Sequence, residues 1–312
     1  MNGILALQWK NRLLAVMLFG LILGPIVVLG GSKSIYVDED NKGDQDGSYN
    51  HPYRTISKAL KHAKGSTVVY VAKGTYKENL TLPKDVKLIG GKNTDDVVIK
   101  ADNPDQPVIV MKDDTEINKL TIVGGRHGVR VLEHAEAKIV RTVIKGSTRD
   151  GIHIDRGSRD KQEQVIIDKS VIKNNRMAGI YSDKRSLIVT DTDIIGNGDG
   201  VDLIAEVKAW FEDNRILENR GSGFKLTMDG ASFWSKNNSI RRNGREGVEV
   251  NSFGAAGSIG FKKAAFIDNG RYAIARVVRV AGAGNFSGLT LTATNRYEGN
   301  HLGTVSAIHH AW

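Results

Sequence analysis

Six residues recurring down the chain carry the groups that proton chemistry needs: Arg130, His153, Tyr181, Asp202, Lys225 and Glu249. Each stands two places after a glycine with an apolar residue between, and all but Tyr181 have an apolar residue after them too, as Ile152 and Ile154 flank His153. In an extended strand alternate side chains point to opposite faces, so the flanking residues turn inward and the chemical group turns out. An imidazole and a phenol supply a base and an acid. Arg130 or Lys225 can neutralise a carboxylate next to the reacting carbon. Asp155 and Asp183 lie two places further on in their strands and offer oxygen ligands for calcium. Asn251 extends the outward set beyond Glu249. Together these groups suit removal of the proton beside a sugar carboxylate, the first step of elimination or of C5 epimerisation. The competing expectation is plain: any solvated strand face shows polar residues at period two.

The elements that would hold such a row are readable from the repeat. Segments such as IKGSTRDGIHI, LENRGSGFKL and IRRNGREGVEV recur, with Gly128, Gly151, Gly179, Gly200, Gly223 and Gly247 at turns and Ala273 and Gly303 in the same role. A fixed motif returning at this interval means a repeat architecture. No segment between glycines holds a long apolar stripe at helical period; each holds short alternating runs such as Leu187-Ile188-Val189 and Ile194-Ile195. Three short strands per coil, stacked in parallel about 4.8 Å apart, would bury those runs in one tubular core. The turn residues and the six outward residues then stand in lines along the tube.

Two further lines follow from the same register. Asn175, Asn197, Asn219, Asn243, Asn269 and Asn300 each precede the turn residue by three or four places. Stacked amides can bond to their copies in adjacent coils, and asparagine tolerates the left-handed backbone of tight turns. Ile166, Ile188, Trp210 and Trp234 form the other line. If Phe211 and Phe233 face inward, Trp210 and Trp234 stack outside as a platform for sugar rings or another chain; a one-residue slip would bury them.

These stacked turns resemble the pectin lyase-like superfamily of right-handed parallel β-helices. Upstream, Tyr36-Val37-Asp38, Pro52-Tyr53-Arg54-Thr55-Ile56, Ala59-Leu60 and Gly74-Thr75-Tyr76-Lys77-Glu78-Asn79 are similar to the opening segment of pectin methylesterases and alginate epimerase-like proteins. The resemblance implies an all-β, single-stranded right-handed parallel β-helix whose short N-terminal helix, over residues 55–64, caps the open end of the core. The methylesterase motifs Gln-Asp-Thr, Asp-Phe-Ile-Phe-Gly and Gly-Arg-Pro-Trp are absent. Polygalacturonase motifs are approached only by Asn197-Gly198-Asp199 and Gly125-Arg126-His127-Gly128. Elimination or epimerisation of an acidic extracellular polysaccharide is therefore expected ahead of ester or glycosidic hydrolysis. A non-catalytic surface or adhesion scaffold is the alternative, favoured by the shortness of most inter-coil loops.

Composition sets the outer limits. The chain has 312 residues with 35 Gly, 5 Pro and no Cys, which excludes disulfides and thiolate metal sites. Of the net charge of +9, Lys10 and Arg12 contribute 2 and no acid precedes residue 32, leaving 9 − 2 = +7 for the remainder. A basic surface favours polyanions such as acidic polysaccharide or cell-wall polymer. Its charges are scattered and no nucleic-acid motif is present, so no nucleic-acid partner is expected. A basic start, the apolar run Leu13–Leu23, the Gly24-Pro25 break and Val28-Leu29-Gly30 have the layout of a secretory signal. Residues 1–31 are thus expected to be a signal peptide or membrane anchor, 32–67 the opening segment with its capping helix, and 68–312 the β-helix. Both leader readings place the remainder outside the cytoplasm, in contact with the membrane only through its N-terminal segment.

Overall fold

Short alternating strands that return once per coil can satisfy their backbone only by pairing with the next coil. In the computed structural model, which describes residues 32–157, 163–282 and 284–311, they do so in three parallel sheets of 11, 10 and 10 strands. Sheet 1 runs from Lys33–Val37 to Leu289–Leu291, sheet 2 from Gly74–Lys77 to Arg296–Glu298, and sheet 3 from Leu80–Leu82 to Gly303–His310. The chain visits the three in turn, which is a parallel β-helix. Lys33–Val37 pairs in register with Thr67–Val71, so part of the opening segment is itself the first strand of sheet 1. The expected leader, residues 1–31, lies outside the described residues. Among the described residues, no helix is long and apolar enough to cross a membrane.

The N-terminal end is closed by α1, Ile56–His62, which buries Ile56, Ala59 and Leu60. Thr55 caps it by accepting from the Lys58 N–H. Glu78 accepts from the Ile56 and Ser57 N–H groups at 2.9 and 2.8 Å, placing a carboxylate on donors that a helix start leaves free.

Alternation fixes the core as expected. Ile152, Val201, Phe224 and Val248 are fully buried. Towards the C-terminal half the tube fills with aromatic rings, Phe211, Phe224, Phe233, Phe261 and Phe266, neighbouring centroids lying 5.3–6.3 Å apart.

The recurring glycines have a different cause from the one the turn pattern suggested. Gly128, Gly151, Gly179, Gly200, Gly223 and Gly247 are not among the residues with positive φ. They are required by close approach: a Cβ on Gly200 would sit 2.4 Å from the Gly223 carbonyl oxygen and 2.7 Å from Ile216 Cγ2. The asparagine ladder is present, running Asn175 to Asn197 at 2.9 Å, Asn219 to Asn243 at 3.0 Å and Asn269 to Asn300 at 2.8 Å. Those asparagines do not supply the left-handed backbone; the residue before each does, as at Asn174, Gly196, Glu218, Arg242 and Asp268. A second ladder, which the first hid, runs through the N–H groups of Thr142, Ser170, Thr192 and Asn214 at another turn, ending on Asn238.

Candidate functional site

The outward row of sheet 3 is real and in register. Arg130 pairs with His153, His153 with Tyr181, Tyr181 with Asp202, Asp202 with Lys225, and Lys225 with Glu249. Beside it runs a second polar row that sequence reasoning missed. His127, Asp150, Asp199 and Glu246 each stand immediately before a coil glycine, with Ala178 and Ser222 in the other two coils. The signal was there, one place upstream of each glycine. The N–H groups of Gly128, Gly151, Gly179, Gly200 and Gly223 bond to the carbonyls of this row, one coil on, so its members stack like the first.

The two rows meet at His153. Its Nδ1 lies 3.0 Å from Asp150 Oδ2, and its ring sits between His127, at 4.5 Å between centroids, and Tyr181, at 4.7 Å. His127 Nδ1 lies 3.4 Å from the same Asp150 oxygen. Burial pushes the Asp150 carboxyl up, but the His127 and His153 imidazoles outweigh it and hold the group down at about 2. His153 Nε2 is 3.6 Å from Asp155 Oδ1. Both nitrogens of His153 thus face carboxylates and both ring faces are covered. That removes it from the role of free base expected from its place in the row.

Asp202 takes that role better. Burial raises its carboxyl to about 6; Lys225 opposes the rise, and Asp199, Asp150 and Glu249 add to it. Burial, with the charges of Asp183, Asp202 and Asp150, also raises the Tyr181 phenol, keeping it protonated. Lys225 Nζ is 2.9 Å from Asp199 Oδ2. Burial pulls the ammonium down, yet the Asp199 hydrogen bond and surrounding acids carry it above its ordinary value, so it stays charged. Three partly exposed groups therefore stand on successive coils: a protonated phenol, a carboxyl poised near neutrality and a cation.

Other expected members are engaged elsewhere. Arg130 Nε and an Nη grip Asp155 in a fork with contacts of 2.9 Å, so Arg130 is held as a structural ion pair. Glu249 is only 2% exposed and takes Arg279 at 2.6 Å; the same guanidinium holds Asn251 Oδ1 at 2.5 Å. Neither is free to receive substrate. The carboxylates offered for calcium fare no better, for Asp155 belongs to Arg130 and Asp183 faces Arg156 at 3.8 Å. Calcium asks for six to eight oxygens, and each of these two carboxylates has an arginine beside it instead.

Trp210 and Trp234 are aligned between Ile188 and Gly260. Phe211 and Phe233 are buried beside them, so the tryptophans are on the outer face, half-buried. A Cβ on Gly260 would meet the Trp234 ring at 2.5 Å, so that glycine is where the indole lies. These tryptophans belong to sheet 1, whereas the row lies on sheet 3. The structure does not bring the two together.

Comparison with known proteins agrees with the coil geometry. The profile of the family described as right handed beta helix region matches residues 108–285. The chain belongs to that family. A second profile, of a family described as a protein of unknown function (DUF1565), matches residues 39–107. The sequence finds no match among curated proteins. Among solved structures the chain is similar to the pectate lyase Pel9A, at 16% identity and a TM-score of 0.55 over 91% of this chain and 81% of that one. The Azotobacter vinelandii mannuronan C-5 epimerase AlgE4 A-module gives 15% identity and a TM-score of 0.51 over 82% and 93%. Geobacillus virus E2 ORF18 gives 13% and 0.61 over 89% of this chain but only 60% of its own. At such identities these likenesses establish the right-handed pectin lyase-like β-helix and nothing finer.

Proposed function

We propose that this β-helix is a lyase acting on an acidic polysaccharide outside the cytoplasm, with Tyr181, Asp202 and Lys225 as its reacting groups. The observation that carries the reading is their arrangement, a proton donor, a base and a cation on three adjacent coils in one outward register. The Lys225 ammonium has three donors, of which the Asp199 contact uses one; the others bind the sugar carboxylate and stabilise the charge that develops when the neighbouring proton leaves. Asp202 takes that proton, and Tyr181 gives one to the departing glycosidic oxygen. The C4–O bond breaks as the C4=C5 double bond forms, and no oxidant or water is consumed. The names of similar folds, a pectate lyase and a mannuronan epimerase, support a uronate as substrate.

One-sidedness argues for elimination over epimerisation. Asp202 and Tyr181 project from the same face of one sheet, about 4.8 Å apart. Epimerisation needs an acid and a base on opposite faces of the ring. Elimination with both on one face suits uronates whose C5–H and C4–O are cis, as in the gluco and manno series, rather than the galacto series.

The test is turnover of mannuronan, glucuronan and pectate, followed by the ultraviolet absorbance of the unsaturated product. Asp202→Asn and Tyr181→Phe should each lose 10²–10⁴-fold in rate. Activity on pectate alone would refute the same-side argument. Absence of turnover on every acidic glycan would leave the row a solvated face and the solenoid a scaffold.

A further inference from the structure

We propose that His127, Asp150 and His153 form a binding site for one divalent transition-metal ion, of which zinc is the type. The site is distinct from the three reacting groups and stands whether or not the lyase reading does. Among the described residues these are the one group of three side chains whose ligand atoms all lie within 4.8 Å of one another. Two of the three are buried, His127 at 6% and Asp150 at 4% exposure.

The spacing is that of a coordination shell. Asp150 Oδ2 is 3.4 Å from His127 Nδ1 and 3.0 Å from His153 Nδ1. Ligand bonds of about 2.0–2.2 Å in a tetrahedron put neighbouring ligand atoms roughly 3.3–3.6 Å apart. The His127–Asp150 spacing already lies in that range, and the His153–Asp150 spacing would open by a few tenths of an ångström as the ion enters.

An independent observation points the same way. His127 Nδ1 is buried with no hydrogen-bond partner, although Asp150 lies next to it. Asp150 Oδ2 at 3.4 Å is an ion-pair neighbour but not a directed hydrogen bond, and a metal ion at the centre of the cluster would give this buried nitrogen a directed partner. The outer contacts are also those of a metal site. Asp150 Oδ1 accepts from the Ala178 N–H at 3.1 Å, which fixes the carboxylate and leaves Oδ2 facing the imidazoles. His153 Nε2 has Asp155 Oδ1 at 3.6 Å, and Arg130 holds that carboxylate in place. A carboxylate behind a ligating imidazole orients the ring and raises its basicity.

The donor set selects the ion. Two imidazole nitrogens and one carboxylate suit zinc, iron or cobalt, whereas calcium and magnesium require oxygens throughout. Three protein ligands leave a fourth position for water or a substrate oxygen.

The full-length, untagged chain is stripped with chelator and titrated with zinc and, separately, cobalt. The expected result is one equivalent bound, an intense visible cobalt spectrum of tetrahedral type, and a rise in thermal midpoint that calcium does not give. His127→Ala and Asp150→Asn should each weaken binding at least 100-fold, and Asp155→Asn should cost 10–100-fold as an outer partner. His309→Ala with His310→Ala should leave binding unchanged. Circular dichroism reports whether each variant is folded. If the buried variants fail to fold, X-ray absorption of the wild-type cobalt form decides, with two imidazoles and a carboxylate expected. Loss of binding on removal of His309 and His310, survival of binding in His127→Ala, or no binding at all would overturn the proposal.

Discussion

Asp202→Asn should make the protein more stable at neutral pH while removing its activity. The carboxyl is raised from 3.8 to about 6, chiefly by burial. A folded-state value above the unfolded one means that the protonated form is the one the fold prefers. The favourable contribution is therefore complete below pH 3.8, is lost as pH rises through about 6, and at pH 8 wild type bears the full cost of ionising Asp202. A shift of about 2 units at 1.36 kcal/mol each gives roughly 3 kcal/mol as an upper figure. Asp202 is partly open to solvent, so screening reduces this to about 1–2 kcal/mol. Asparagine keeps the shape without the charge, and Lys225 retains Asp199. Urea unfolding of both proteins at pH 4 and pH 8 is the assay, read as midpoints because stacked coils need not unfold in one step. The midpoint of the variant should exceed that of wild type at pH 8, and the difference should vanish or reverse by pH 4. An equal difference at both pH values, or a destabilised variant at pH 8, would show that burial does not raise this carboxyl.

Turnover should follow the same group: if Asp202 is the base, the rate climbs through about pH 6, and the climb is absent from the residual activity of Asp202→Asn. Phe224→Ala should cost about 3–5 kcal/mol, because Phe224 is fully buried among Phe211, Phe233 and Phe261; equilibrium unfolding measures it. Asn219→Ala should cost about 1–3 kcal/mol by taking the acceptor from the Asn197 N–H and Nδ2 and one donor from Asn243 Oδ1, checked the same way. A reporter fused after Ser34 should be active only in a compartment where exported reporters work, and strong cytoplasmic activity would exclude the leader reading.

How far the sequence carried this fold depends on which constraint was written at fixed spacing. Strand alternation and the coil period were, so the full row from Arg130 to Glu249 was legible in the sequence, whereas the pattern left two registers for Trp210 and Phe211, of which the structure has Phe211 buried. Whether an outward residue is available was not written there. Arg279 lies 30 residues after Glu249 and reaches back across a coil to bury it, and Asp155 reaches to Arg130 25 residues earlier. Such pairs depend on side-chain length and rotamer across coils, which spacing does not encode. His127 was visible only as part of Gly125-Arg126-His127-Gly128, and its pairing was not, because its partner Asp150 is in the next coil and no local motif announces the pair.

The same arginines bound the reacting surface. Arg130 with Asp155 closes one end of the outward row, and Arg279 with Glu249 and Asn251 closes the other. Between them stand Tyr181, Asp202 and Lys225, the last paired with Asp199 at 2.9 Å, and the three span two coil spacings or roughly 10 Å. Charged pairs at both ends keep that face soluble without a loop to wall it, so the short inter-coil loops do not argue against chemistry in the middle. What they do argue is that a polymer would be gripped along a short stretch. Releasing one end separates the two ideas. Asp155→Ala frees Arg130 as a second cation in line with Lys225. If the arginine pairs mark the limits of the site, KM for a uronate polymer should fall while kcat changes little. If the row is merely a solvated strand face, neither constant exists to move, and the variant should differ from wild type only by the small stability change that loss of a partly exposed ion pair brings.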